Sequence, residues 1–291
     1  MHKSLRLIVS VLAVGLVALL VAGCSPSAKK AKALEKADKA FAAGRYSEAE
    51  IEYKNVLQLE NLNAHAIVRL GTIYSDQGRL GLAVLFIRKA RELAPDDLFV
   101  RLKMGQLNLA SGKLKEAQDE ASFVITRQPS DPEAPLLLAA CIGTLSDATA
   151  IKAKLEAIPN PARQSAPVLT ALGMVEFRLS RNKEAEALFK AATDADPKFA
   201  AAHSALGLLR LGQDDNAGAD AELKQSAELS PARSPRRIQY IQFKIRARDL
   251  EAAKTLLADL NKAAPDFFFN ETATAEIYAN ENKLKEAAEV L

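Results

Sequence analysis

The apolar positions of this chain fall into two patterns. Residues 7–21 form one nearly continuous apolar run, broken only by Ser10 and Gly15. From about residue 30 onward, small and apolar residues recur at a fixed spacing instead. Gly71 returns as Gly105, Gly78 as Gly112, Ala83 as Ala117 and Pro95 as Pro129, each 34 residues on. Extending that frame from Ala83 in both directions gives Ala49, Ala83, Ala117, Ile151, Ala185, Ala219, Ala253 and Ala287. Alanine supplies 54 of the 291 residues, so seven alanines at eight positions are far beyond chance. Five of the twelve prolines share another position of the frame: Pro95, Pro129, Pro197, Pro231 and Pro265. A period of this length marks a repeat array, in which each unit buries its apolar face against its neighbours and no central core is needed.

With these residues at these positions, the period resembles the tetratricopeptide repeat over roughly residues 30–291. The resemblance implies an all-α chain, a right-handed superhelical solenoid of about eight helix-turn-helix units. Their bounds are near residues 30–62, 63–97, 98–131, 132–165, 166–199, 200–233, 234–266 and 267–291. It also implies that small residues on paired helices meet, Gly71 with Ala83, Gly105 with Ala117, Gly173 with Ala185 and Gly207 with Ala219, so that the backbones approach closely. Its large positions are filled by Leu70, Tyr74, Leu172, Phe189, Leu206 and Leu257. The fourth unit departs from the pattern. Ile151 replaces the alanine, and Pro159 and Pro161 are expected to shorten the second helix, because proline lacks the N–H donor and clashes with the preceding turn. In the eighth unit Leu284, Ala287, Ala288 and Leu291 form an apolar stripe with nothing following to cover it. The expectation is a longer parent chain, or an end that pairs with another chain.

The apolar run at the start has a different meaning. Preceded by His2, Lys3 and Arg6 and followed by small residues, it reads as a leader, and it is short for a membrane span. Val21, Ala22, Gly23 and Cys24 resemble the bacterial lipobox. That resemblance implies a signal peptide at residues 1–23, lipidation of Cys24 by long acyl (palmitate-type) chains that together anchor the protein durably, and a short polar tether at residues 24–31 before the array at 32–291. Ser25, where inner-membrane lipoproteins carry aspartate, implies an outer-membrane protein facing the periplasm.

Charge and chemistry narrow the rest. Lysine and arginine exceed aspartate and glutamate by three, and removing Lys3 and Arg6 leaves 37 positive against 36 negative residues. So even a balance argues against nucleic acid as partner. Two cysteines, Cys24 and Cys141, are too few for a disulfide framework. His65 and His203 stand four units apart with no motif around either, and Asp96-Asp97 and Asp214-Asp215 sit where turns and helix starts favour aspartate. There is no phosphate loop, zinc spacing or nucleophile elbow. The expectation is a non-enzyme with no cofactor, no metal and no small-molecule substrate.

The resemblance implies instead a concave groove lined by the first helices. Its contact positions are Phe99, Leu102, Gln106 and Leu109 in the third unit and Thr170, Met174, Phe177 and Arg178 in the fifth. The sixth supplies Leu208 and Leu211, and the seventh Ile238, Gln242, Ile245 and Arg246. Such a surface suits an amphipathic helix or an extended peptide. Leu34 and Asp38 stand where relatives that grip a terminal carboxylate place cations and amides, which argues against that mode. Arg233, Arg236 and Arg237 make the densest positive cluster and read as a solvated turn. The whole resembles tetratricopeptide lipoproteins of exopolysaccharide and exosortase (PEP-CTERM) systems: a lipid-anchored periplasmic scaffold for protein partners. Barrel-assembly and pilus-assembly lipoproteins, or the targeting arm of an enzyme whose catalytic domain lies beyond Leu291, are the alternatives.

Overall fold

The computed structural model describes residues 26–291, so Val21, Ala22, Gly23 and Cys24 lie outside the described residues. Sixteen helices follow one another in eight pairs among those residues: α1 (Pro26–Ala42) with α2 (Tyr46–Leu59), α3 (Ala64–Asp76) with α4 (Leu80–Leu93), α5 (Leu98–Ala110) with α6 (Leu114–Arg127), and α7 (Ala134–Ala140) with α8 (Leu145–Glu156). After a 3-10 turn at Ala162–Gln164 come α9 (Ala166–Arg178) with α10 (Asn182–Ala195), α11 (Ala200–Leu211) with α12 (Asn216–Glu228), α13 (Pro235–Arg246) with α14 (Leu250–Ala263), and α15 (Phe269–Asn280) with α16 (Leu284–Val290). No strand occurs among the described residues. The chain divides into two compact units, one ending at Ile73 and one running from Tyr74 to Leu291.

The expected polar tether is corrected in part. Residues 26–31 are the first turns of α1, with Pro26 in the opening turn, where its missing N–H costs nothing, and alanine and lysine favouring the helix after it. Lys30 also pairs with Glu60 at 3.0 Å.

Seven of the eight pairs turn in the same way. One residue enters the left-handed region: Gly44, Gly78, Gly112, Ser180, Asp214, Arg248 and Asn282, with φ between 59° and 72°. These positions follow the 34-residue frame, with only residue 146 skipped. The next residue donates its N–H to the carbonyl five positions back, from Arg45 to Ala40 through to Lys283 to Tyr278, at 2.8–3.0 Å. This closes the first helix by satisfying carbonyls that have no helical partner. The carbonyl of that same residue then accepts from the frame alanine, as Arg45 does from Ala49 and Asp249 from Ala253, at 3.0 and 3.1 Å. The alanine frame is therefore locked to the turn.

Between pairs, proline sets the junction. Pro95, Pro129, Pro197 and Pro265 take the second place of a four-residue turn, closed by Asp97 to Ala94, Asp131 to Gln128, Phe199 to Asp196 and Phe267 to Ala264 at 3.0–3.2 Å. Its fixed φ suits that place. Asp97 and Asp131 then accept N–H bonds from Val100 and Ala134 at 3.0 and 2.7 Å, capping the next helix.

The frame alanines are buried, but two of the glycines face a large side chain and not the alanine that the resemblance pairs with them. Ala83, Ala117, Ala185, Ala219 and Ala253 have no exposed surface. A Cβ placed on Gly173 or Gly207 would come within 2.4 Å of Phe189 or 2.8 Å of Leu223. Phe189 and Leu223 lie one turn beyond the frame alanines. The glycines thus make room for a large side chain, while the alanines let the helices close. A Cβ on Gly105 would meet Leu137 of the following repeat at 2.6 Å and the Ala117 carbonyl at 3.6 Å.

Repeat four departs more in its first helix than in its second. The helix α7 has seven residues, against thirteen in α5 and α9, while α8 keeps twelve and stops before Pro159. No left-handed residue makes its turn. Instead Thr144 caps α8, accepting from the Asp147 N–H at 3.2 Å while the Asp147 carboxylate accepts from the Thr144 N–H at 2.8 Å. This reciprocal pair replaces the turn that the other repeats share. Leu137, Leu138, Cys141, Ile151 and Leu155 are all buried in one cluster that also takes in Leu102, Val124 and Val175.

Candidate partner-binding groove

Of the fourteen positions expected to line a groove, four are buried: Leu102 (7% exposed), Thr170 (1%), Ile238 (3%) and Ile245 (1%). Leu102 belongs to the cluster shared by repeats three to five, and Ile238 and Ile245 pack with Leu257 and Ile277. The Thr170 hydroxyl donates to the Ala166 carbonyl of its own helix at 2.7 Å. These four hold helices together and offer no surface, because a tightly wound array turns part of each first helix into core.

The other ten remain accessible. Phe99, Phe177 and Leu208 are 44%, 42% and 43% exposed, large apolar side chains left facing water. Arg178 and Arg246 are exposed, while Gln106, Leu109, Met174, Leu211 and Gln242 are half-buried. Polar groups around the aromatic positions are pre-arranged. Lys103 lies 5.5 Å from the Phe99 ring and donates to Gln106, whose amide donates to Glu133 at 2.7 Å. Arg178 donates to the Ile142 carbonyl at 3.3 Å, and Ser204 to Gln239 at 2.6 Å. The accessible positions therefore combine apolar anchors with amides and cations, a mixture suited to a peptide that brings both apolar side chains and acceptors.

The arginine cluster is not a solvated turn. Arg233 donates to Asp266, and Arg237 Nε reaches the carbonyls of Ser230 and Pro231 at 3.0 and 3.2 Å. Burial pushes the Arg236 guanidinium below its ordinary value, opposed by the charge of Glu133.

The histidines and the carboxylate at Asp38 have structural work. His203 stands 2.7 Å from Glu222 and 2.9 Å from the Pro197 carbonyl, tying α11 to α12 and to the preceding turn. In the first unit Asp38 accepts from the Tyr53 hydroxyl at 2.6 Å and lies 2.7 Å from His65. Burial alone would raise the Asp38 carboxyl, but those bonds and Arg69 hold it below the usual range. Cys141 is buried and its thiol bonds the Leu137 carbonyl, with burial pushing it up to about 11.

Sequence reasoning missed two buried carboxylates. Glu120 is held by Arg91 and Arg101, both at 3.0 Å, and Glu176 by Lys152 at 2.7 Å and Arg181 at 3.3 Å. Each bridges consecutive repeats. The frame repeats Glu120 as Glu52 and Glu222, whereas Glu176 has no glutamate at its equivalent positions, so the period gave no signal for the second. Two surface clefts of about 380 and 350 Å³ open beside Glu120 with Arg91 and beside Lys244, whose ammonium is already held by Asp220 at 2.9 Å. Among the described residues no group of three His, Cys, Asp or Glu side chains is arranged to hold a metal, and no helix is long and apolar enough to cross a membrane.

Comparison with known proteins agrees with this geometry. A family model for the tetratricopeptide repeat matches residues 34–97 and 170–234. DnaJ homolog subfamily C member 3 of Gallus gallus is 32% identical over 112 residues, 38% of this chain and 22% of that protein. Its Homo sapiens counterpart is 31% identical over the same length. The chain spans 22% of the length of these curated relatives. Among solved structures, a tetratricopeptide repeat protein from Parabacteroides merdae aligns with a TM-score of 0.53 at 18% identity, covering 89% of this chain and 99% of its own. A thermophilic protein of the same kind from Thermus thermophilus gives 0.50 at 19% identity, covering 62% and 98%. At such identities the likeness speaks for the fold. The chain carries tetratricopeptide repeats at residues 34–97 and 170–234, and it folds as an all-α tetratricopeptide-repeat solenoid.

Proposed function

We propose that this protein is a lipid-anchored periplasmic scaffold that binds protein partners through the first-helix face of its array, within an envelope-assembly or exopolysaccharide and protein-sorting system. The observation that carries the binding part is the exposure of Phe99, Phe177 and Leu208 beside Gln106, Gln242, Arg178 and Arg246. Large apolar groups left in water next to amides and cations fit an amphipathic or extended peptide segment. The anchor rests on the lipobox-like Val21, Ala22, Gly23 and Cys24, and the outer-membrane placement on Ser25.

A pull-down from detergent-solubilised membranes tests the binding surface. The Phe177→Glu, Leu208→Glu pair leaves the core untouched, so circular dichroism is expected to match wild type while captured proteins are lost. Retention of the same partners by the folded variant refutes this surface. For the anchor, Cys24→Ser is expected to leave the leader uncut or release the protein from membranes, and an acylated Cys24→Ser chain refutes it.

A further inference from the structure

Gln77 and Asp266 are 189 residues apart in sequence and in contact in space, with Gln77 Nε2 donating to Asp266 Oδ2 at 3.3 Å. Arg233 donates to the other oxygen of the same carboxylate. Beside them Gly78, at φ 69°, lies so close to Phe268 that an added Cβ would stand 2.9 Å from the ring. Phe267 and Phe269 flank that ring, with centroids at 6.1 and 3.9 Å. The turn inside repeat two therefore touches the junction before repeat eight.

A repeat array needs contacts only between neighbours, and the frame does not call for these residues. Positions equivalent to Gln77 carry Ser111, Leu179, Gln213 and Ala247, those equivalent to Asp266 carry Asp96, Ser130, Lys198 and Ala232, and those equivalent to Phe268 carry Leu98, Ala200 and Ser234. A second approach lies further along the array. Glu133, just before α7 and held by Gln106 at 2.7 Å, lies near enough for its charge to act on Arg236 in the first turn of α13, three repeats away.

We propose that Gln77 and Gly78 with Asp266 and Phe268 form a clasp that closes residues 74–291 into one turn of superhelix, and that releasing it opens the first-helix face to macromolecules. The clasp is independent of which partner the array binds. Its conformational part is tested on the full chain carrying Gln77→Cys and Asp266→Cys, which gives up their hydrogen bond but keeps Phe268 against Gly78, treated with a short bifunctional maleimide. An intramolecular bridge in the monomer fraction, assigned by peptide mapping, is expected; two singly modified thiols with no bridge overturn the clasp. Of the two native cysteines Cys141 is fully buried, and a bridge to Cys24 maps to a different peptide.

Two glycines supply the control. Gly78 and Gly112 share nearly the same φ, 69° and 71°, but an added Cβ meets Phe268 at Gly78 and nothing within 4 Å at Gly112. Added to the cysteine pair, Gly78→Ala is expected to lower the bridged fraction several-fold and Gly112→Ala to leave it unchanged; equal losses overturn the assignment. For the gating part, a Leu208→Cys reporter is reacted with a small maleimide and with one carrying a large polymer. In a Gln77→Ala, Phe268→Ala background the polymer is expected to react several-fold faster while the small reagent does not change. Unchanged polymer rates overturn the gate.

Discussion

Repeats three and four lie side by side in one apolar cluster, yet they hold their helices together by different means. In repeat three, Gly112 makes a left-handed turn, Ala117 closes against the facing helix, and Gly105 leaves room for a neighbour. Repeat four has no left-handed turn and no glycine at that contact, and Ile151 stands where the alanine should be. Its helices are placed by large side chains and by a reciprocal cap at Thr144 and Asp147. Leu137 of repeat four even fills the space that Gly105 leaves. A repeat can therefore lose its signature and keep its place, provided that its apolar volume fits the gaps in its neighbours.

The largest way to break this contrast is to empty repeat four. Leu138→Ala removes a side chain only 1% exposed in the shared cluster and is expected to destabilise by about 2–5 kcal/mol, read from denaturant unfolding; a loss below the range of surface substitutions would show that repeat four contributes little. Overfilling repeat three should cost less. Ala117→Leu places extra methylenes where the exposure is 0%, for an expected loss of about 1–3 kcal/mol. An unchanged melting temperature would contradict the close helix approach.

Smaller still is the cap. Thr144→Ala removes one half of the reciprocal pair and is expected to cost about 1 kcal/mol. The effect carries a pH signature. Asp147 is held below its ordinary value, first by the Thr144 hydroxyl and then by the Thr144 N–H. A carboxyl lowered in the folded state stabilises above its unfolded value, about 3.9, and that stabilisation is lost as pH falls through the lower folded value. Wild type and variant melting curves should therefore converge in acid; a constant gap would remove the carboxylate from the account. The smallest effect has the opposite sign. Arg248 sits at φ 63°, where an L side chain is strained, and Arg248→Gly should stabilise by up to about 1 kcal/mol. A loss on melting would show that the Arg248 side chain, not its backbone, matters there.

Much of the architecture was legible because a hydrogen-bonded turn, an alanine and a proline recur at one spacing. Even the turns at Ser180, Asp214, Arg248 and Asn282 can be located, since they stand 34 residues apart although none is glycine. The shortening of α7 was not legible: the apolar run at residues 136–142 looks helical throughout, and nothing local announces that it stops at Ala140. The groove was half legible. Leu102 and Phe99 occupy equally apolar positions on one helix, and which of them is core depends on how closely the neighbouring repeats wind. Contacts such as Gln77 with Asp266 leave no periodic trace at all, because they arise once.

The shared cluster also governs how the chain should respond to force. Hairpins that touch only their neighbours can peel off one at a time, each adding the same length to the extended chain. Repeats three to five bury side chains from Leu102 to Val175 in one body, and Met174 packs onward against Phe189 and Leu206 in the next. Pulled from its ends, the array should lengthen in short steps until this block yields, and then in a single long one.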